Sequence, residues 1–338
     1  MKLHPHPERP NRLRAIAASL ATAGIFPERC YPILAREIKP EELQMVHSSE
    51  NIEAVEPTSH ILSSYLTPDT YANQHSTRAA RLAAGLCADL ASAIYSGSAK
   101  NGFALVCGPT WAWPVLLEWS SPRAKLARAF FGMSHWRPEP TSRNSIPTLH
   151  TGVFPREKLT KCCTRNNHLR ENSVLYISLH RYEGGKFYPG TGAADEVGTM
   201  GAEGYCVYVP WSRGGVGDND YVFAFQQAVL PIDGPASAGA LSYANTDTAF
   251  NVAEARACSD VTPAGYAQMT EMCSVLSGGK LLVILEGRYN LRSISSSATA
   301  VIKKNRKEKE HEQQCHHGGN WDQGGYCTGS CASSIVYN

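Results

Sequence analysis

The chain contains no apolar run approaching the roughly 18 residues that a membrane-spanning helix needs. Its start, Met1 to Leu13, is polar and broken by prolines, which argues against a secretory leader. Charge of one sign is also scarce. The 32 Lys and Arg offset 30 Asp and Glu and leave +2 at neutral pH, too little for a global attraction to nucleic acid or to a membrane surface. The 11 cysteines are odd in number and scattered, as at Cys30, Cys87, Cys107, Cys206 and Cys273. That placement does not suggest a disulfide framework and is expected of intracellular thiols. The sharpest absence is local: from Cys107 to Asn172 there is no aspartate, and the histidines there are His135, His150 and His168.

What is present predicts a folded chain. With 338 residues and 43% hydrophobic content, the sequence can bury a sizeable core and is expected to form one large α/β domain. Asn11 to Ala23 and Thr77 to Ile94 carry apolar residues at spacings of three and four, which predicts amphipathic helices. Phe103 to Val106, Val174 to Ser178, Tyr205 to Val209 and Lys280 to Leu285 read as short strands. Further helices are expected over Asp220 to Val229 and Pro263 to Leu276, the latter with Thr262 as N-cap and Pro263 at the first helical position. Strands alternating with helices predict a mostly parallel sheet covered on both faces, with the functional site in loops at the carboxyl ends of the strands.

Two of those loops are specific. Val174 to Ser178 runs into Leu179-His180-Arg181-Tyr182-Glu183-Gly184-Gly185, and Leu281 to Leu285 runs into Glu286-Gly287-Arg288-Tyr289-Asn290. A tyrosine in a glycine-bearing loop at a strand end can offer its hydroxyl to an oxyanion. Taken without the neighbouring sequence, a tyrosine that simply caps the core is the plainer reading.

Longer blocks decide between these readings. H-P-E-R-P-N-R-L-R-A-I (His6 to Ile16), E-E-L-Q-M-V-H-S (Glu41 to Ser48), A-A-R-L-A-A-G (Ala79 to Gly85), N-G-F-A-L-V (Asn101 to Val106), Ser173 to Gly198, V-P-W-S-R-G-G-V-G-D-N-D-Y-V-F-A-F-Q (Val209 to Gln226) and Asp260 to Ser293 follow one another in a known order. With them the chain resembles the class II histone deacetylases, in particular the plant members. The resemblance implies an arginase/deacetylase-like single domain, an incomplete one here, over residues 1–303, with 107–172 and 233–259 divergent and 304–338 a disordered tail. It implies hydrolysis of acetyl-lysine by Zn²⁺ held by two aspartates and a histidine, with a histidine pair moving protons and a tyrosine stabilising the oxyanion. Nuclear residence, with the cytoplasm as a second location, follows from the same likeness. So do partners: histone or other acetyl-lysine tails and corepressor or chromatin complexes, without direct nucleic-acid or membrane binding.

Carried over position by position, the resemblance makes Tyr289 the catalytic tyrosine and places Tyr188 and Gly287 in the substrate tunnel. Ser178, Leu179 and Tyr205 become monovalent-ion positions suited to K⁺. The departures lie at the centre of the chemistry. Val106 leads into Cys107-Gly108-Pro109-Thr110-Trp111-Ala112-Trp113-Pro114 where the family has a histidine pair, and no D-x-H follows before Asn172. Adjacent Cys162 and Cys163 are poorly spaced to chelate one metal with His168. Asp247, in Ala244 to Ala249, is left as the candidate zinc ligand, and one carboxylate does not make the three-ligand set of a catalytic zinc. Arg288 replaces a glycine beside Tyr289, and Tyr208 stands where the family has asparagine.

The resemblance therefore implies a deacetylase family member expected to be inactive as written. The alternatives are a non-catalytic scaffold in chromatin complexes and a frameshifted product that does not fold. The tail, with Cys315-His316-His317 and Cys327 to Cys331, fits no common zinc finger. One hypothesis for the divergent segment comes from Pro109 to Trp113, whose bases can spell P-P-G-H-G in a neighbouring frame. A frame shift after Val106, restored before Ser173, would then explain the missing residues. Sequencing the genomic interval checks this: if no frame across it encodes the missing histidines and aspartate, the shift did not occur.

Overall fold

The computed structural model describes residues 9–44, 56–60, 64–67, 70–106, 130–133, 175–187, 192–197, 206–232, 239–241, 259–276, 281–285, 290–304 and 332–337, together with 49, 52 and 53. In chain order the helices are α1 (Asn11–Thr22), α2 (Pro40–Gln44), α3 (Ser76–Ser96), α4 (Asp218–Ala224), α5 (Pro263–Leu276) and α6 (Leu291–Lys304). The strands are β1 (Ser64–Thr67), β2 (Thr70–Ala72), β3 (Asn101–Val106), β4 (Phe130–Met133), β5 (Leu175–Arg181), β6 (Cys206–Trp211), β7 (Val216–Gly217), β8 (Gly239–Leu241), β9 (Ser259–Asp260), β10 (Leu281–Leu285) and β11 (Ala332–Tyr337).

Two strands organise the core. Every residue of β3 and β10 is buried, as expected for parallel strands covered on both faces. They pair in parallel from Leu281 opposite Asn101 to Ile284 opposite Ala104, and the Asn101 side-chain carbonyl accepts the Leu281 N–H at 3.0 Å. Because successive side chains alternate, Phe103, Leu105, Leu281, Val283 and Leu285 enter one hydrophobic cluster. Ala104, Val106, Leu282 and Ile284 enter a second on the opposite face.

Helices close both faces. On the first, α1 contributes Leu13, Ile16 and Leu20, α5 contributes Tyr266, Met269 and Cys273, and α6 contributes Ile294, Ala298, Val301 and Ile302. On the second lies α3, through Leu82, Leu86, Leu90 and Ile94. The spacings of three, four and seven along these helices are what place one apolar stripe against the sheet. A continuous apolar run therefore becomes the middle of three layers, and amphipathic runs become the outer two.

The sheet pairing runs β11-β3-β10-β4 in one set and β6-β5-β8 in another. β4 and β8 lie close to each other, on the facing sides of the two sets. The sequence predicts no persistent strand pattern over 107–172 or 233–259, yet β4 forms in the first interval and β8 in the second. β4 pairs in parallel with β10 and β8 in parallel with β5. The physical reason is that the backbone N–H and C=O groups along the edges of β10 and β5 need partners whatever the side-chain pattern of the strand that supplies them. The tail expected to be disordered likewise contains β11, paired with β3.

Element limits follow the expectations closely. Thr262 caps α5, with its hydroxyl oxygen accepting the Gly265 N–H at 3.3 Å. The helix expected over Asp220 to Val229 begins two residues earlier, and its second half, Phe225–Val229, is a π-helical turn. α3 stops at Gly97, whose φ of 78° is the left-handed geometry of a helix C-terminus.

The chain segment before α2 crosses α3 at one glycine. The Ile38 N–H donates to the Arg81 carbonyl at 3.0 Å, and a Cβ on Gly85 would run into the Arg36 carbonyl and stand 2.9 Å from the Ile38 nitrogen. Arg36 anchors this crossing through both Glu42, at 2.8 Å, and Asp89, at 2.9 Å. Its hydrogen bond holds the Glu42 carboxyl below the ordinary range against the opposing effect of burial. Gly85→Ala is expected to force the 36–38 segment off α3 and destabilise the chain by about 1–3 kcal/mol. Thermal denaturation of the variant checks this, and a melting temperature equal to that of the unaltered chain would contradict the close crossing.

Candidate functional site

The described part of the site grows from the carboxyl ends of β5 and β6. These strands pair in parallel from Tyr176 opposite Cys206 to Arg181 opposite Trp211. Pairing of β5 with β8 on its other edge ends at Ile177 opposite Leu241. Carbonyls of adjacent strand residues point to opposite edges. One of the Ser178 and Leu179 carbonyls therefore faces an edge with no strand partner among the described residues. The Leu179 side chain is fully buried in the first cluster.

The next residue, His180, is also fully buried. Its ring meets Tyr208 edge-on at 5.6 Å between centroids and 87°, and Tyr182 at 6.4 Å and 83°, the T-shaped arrangement that the aromatic quadrupole favours. Gly192 closes the third side with φ +93°, and a Cβ there would stand 2.5 Å from His180 Nε2 and 3.3 Å from the Tyr208 ring. Glu196 holds this loop in place, one carboxylate oxygen accepting the N–H groups of Gly192 at 3.1 Å and Ala193 at 3.2 Å. The Tyr208 departure thus has a packing role: its ring fills the space beside His180 and Gly192.

The loop after β5 turns sharply. Glu183, Gly184 and Gly185 have φ of 52°, 64° and 85°, and the Tyr182 carbonyl accepts N–H groups from Gly185 at 3.0 Å and Phe187 at 3.1 Å. Glu183 is not a glycine, so its left-handed backbone costs on the order of 1 kcal/mol. Its carboxylate offsets that cost by receiving the Arg181 guanidinium at 2.7 Å, while the same guanidinium stacks 4.3 Å above the Phe187 ring. The turn fixes the direction in which the chain leaves towards residue 188.

A second fixed point joins β7, β9 and the start of α5. Asp218, the first residue of α4, accepts the Thr262 N–H at 2.7 Å and the Thr262 hydroxyl at 2.6 Å. Gly265 leaves room for that carboxylate, since a Cβ there would collide with it. Asp220 in turn accepts the Gly217 N–H at 3.0 Å. Neither Asp218 nor His180 stands out in the sequence. Long-range pairing to Thr262 and to aromatic rings leaves no local signal at either position.

The other expected site residues, Tyr188, Tyr205, Asp247, Gly287 and Tyr289, lie outside the described residues. Among the described residues no three His, Cys, Asp or Glu side chains come together to hold a metal ion. The described donors therefore do not make up a zinc site. Of the described cysteines, Cys30, Cys87 and Cys273 are buried and form no disulfide. Burial pushes the Cys273 thiol up, away from thiolate chemistry.

Comparison with known proteins supplies the context. A family model described as the histone deacetylase domain matches residues 6–111 and 163–305. Histone deacetylase 15 of Arabidopsis thaliana is 55% identical over 316 residues, covering 90% of this chain and 53% of its own length. Histone deacetylase clr3 of Schizosaccharomyces pombe is 33% identical, covering 88% of this chain and 44% of its own. Polyamine deacetylase HDAC10 of Mus musculus is 31% identical, covering 87% and 44%. The chain thus spans about half the length of these relatives. Among solved structures, the crystal structure of the HDA15 HD domain superposes with a TM-score of 0.74 at 52% identity, covering 90% of this chain and 84% of that one.

The contact between Gly192 and His180 generates a prediction. Gly192→Ala combines a left-handed backbone cost with overpacking of the ring, and is expected to destabilise the chain by roughly 2–5 kcal/mol and to change the near-ultraviolet circular dichroism of the tyrosines. An unaltered spectrum and melt would mean that the loop does not seat against the ring.

Proposed function

The chain belongs to the histone deacetylase family and has its arginase/deacetylase-like fold, and on that premise we propose that it is a class II, plant-type member that keeps the family scaffold without turning over acetyl-lysine. One observation carries the reading. The family match is interrupted between 111 and 163, and the sequence across Cys107 to Asn172 has no aspartate and no adjacent histidines. When bound, zinc polarises the acyl carbonyl and activates water in such a site, which requires three protein ligands and an open position. Asp247 is the remaining candidate among those ligands, and Tyr289 the remaining candidate for the oxyanion.

The scaffold reading is supported by the two-faced core around β3 and β10, which is closed by helices without drawing on any catalytic side chain. A carbonyl at Ser178 or Leu179, on an edge without a strand partner among the described residues, suits a K⁺ ion, with Tyr205 as a second monovalent-ion position. In this reading the chain acts in the nucleus as a non-catalytic partner in corepressor or chromatin complexes. A path for acetyl-lysine tails would be lined by Tyr188 and Gly287. Relatives named for histones and for polyamines show that family membership alone does not fix the acyl substrate.

Metal analysis of the purified chain, paired with a deacetylation assay on an acetyl-lysine peptide and a thermal melt, tests this reading. Well under one zinc per chain, no deacetylation and a cooperative melt are expected. About one zinc per chain, lost in Asp247→Ala together with measurable turnover, would establish an active enzyme instead. No zinc and no cooperative melt would identify a product that does not fold.

A further inference from the structure

β3 is the strand on which both halves of the core meet, and both of its edges are paired. One of its edges is covered by β10. On the other, its neighbour among the described residues is β11, antiparallel to a strand whose other partner is parallel. The β3–β11 register runs the full length of both strands without a bulge, from Ala332 opposite Val106 to Tyr337 opposite Asn101. All six residues of β3 are buried, so its outward N–H and C=O groups need partners that solvent supplies poorly.

β11 has the features of an added strand. Residues 305–331 separate it from the end of α6 at Lys304, so no tight turn holds it against β3. Antiparallel pairing imposes no crossover geometry and can be made by a segment arriving from a long tether. The segment Ala332-Ser333-Ser334-Ile335-Val336-Tyr337 is uncharged and contains β-branched and aromatic residues, a composition that favours a strand. It also lies beside α3, the helix that closes the second face of the core.

We propose that the outer edge of β3 is a strand-acceptor site and that its occupant is this chain's own segment 332–337, docked by β-augmentation as a unit that can detach and rebind. Docking covers β3 up to Val106, the last residue before the divergent segment that begins at Cys107. Occupancy of the edge therefore clamps the strand end from which that segment departs. Detachment leaves the backbone donors and acceptors of alternate β3 residues open along that edge.

Hydrogen exchange on the full chain, read by mass spectrometry, tests the proposal. Residues 101–106 and 332–337 are both expected to be protected in the unaltered chain. Adjacent strand residues direct their N–H groups to opposite edges, so Ser334→Pro with Ile335→Pro removes a donor facing β3 whichever phase the ladder adopts. This variant is expected to exchange about tenfold or more faster over 101–106, as loss of several ladder bonds requires. A synthetic peptide of residues 331–338, added in excess, is expected to restore the protection, and the same peptide carrying the two prolines is not. Exchange of 332–337 in the unaltered chain at the rate of an unstructured peptide would overturn the proposal even if the variant failed to fold. Unchanged protection of β3 in the variant, or no rescue by the peptide, would overturn it as well.

Discussion

The structure depends on two strands that have no solvent side. β3 and β10 are buried on both faces, so every residue along them must be matched by an apolar neighbour from a helix, and every backbone group by another strand. That requirement selects the rest of the architecture. α1, α5 and α6 must present one stripe to Phe103, Leu105 and Val283, and α3 must present another to Ala104, Val106 and Ile284. The same requirement explains why weakly patterned segments are recruited as strands. β4 and β11 bring little recognisable periodicity, and what they supply to β10 and β3 is backbone hydrogen bonding.

The site inherits its geometry from the ends of these strands and not from any one residue. β5 and β6 bring the His180 and Tyr208 rings into contact, Gly192 gives the room for them to meet, and Glu196 secures the loop that carries Gly192. At the other fixed point, Asp218 ties the start of α4 to the start of α5 through Thr262. Both fixed points are made by packing and hydrogen bonds between separate elements. Burial and hydrogen bonding hold these supports together across elements far apart in the chain.

Much of this was legible in the chain. Apolar runs at spacings of three and four located α1 and α3 within one or two residues, and Thr262-Pro263 marked the start of α5 because its cap is a local interaction. The alternation of strands with helices implied the layered parallel sheet. The positions that escaped notice share a different character. β4 and β8 are short and owe their strand form to an edge supplied from elsewhere. His180 looks like any histidine in a motif until Tyr208, distant in sequence, is placed against it. Glu183 carries no sign of its left-handed backbone, which is imposed by the turn between Tyr182 and Phe187 and sustained by Arg181. Contacts made across the sheet are invisible to a reading that sees only neighbours along the chain.

Three buried thiols among the described residues lend the core an unplanned use. Cys30 and Cys273 sit in the cluster on one side of β3 and β10, and Cys87 sits in the cluster on the other. Since a thiol reacts only once reagent reaches it, each side of the sheet carries its own chemical clock for opening. A chain that breathes by lifting α3 alone would surrender Cys87 first, whereas one that loses its sheet all at once would surrender the three together.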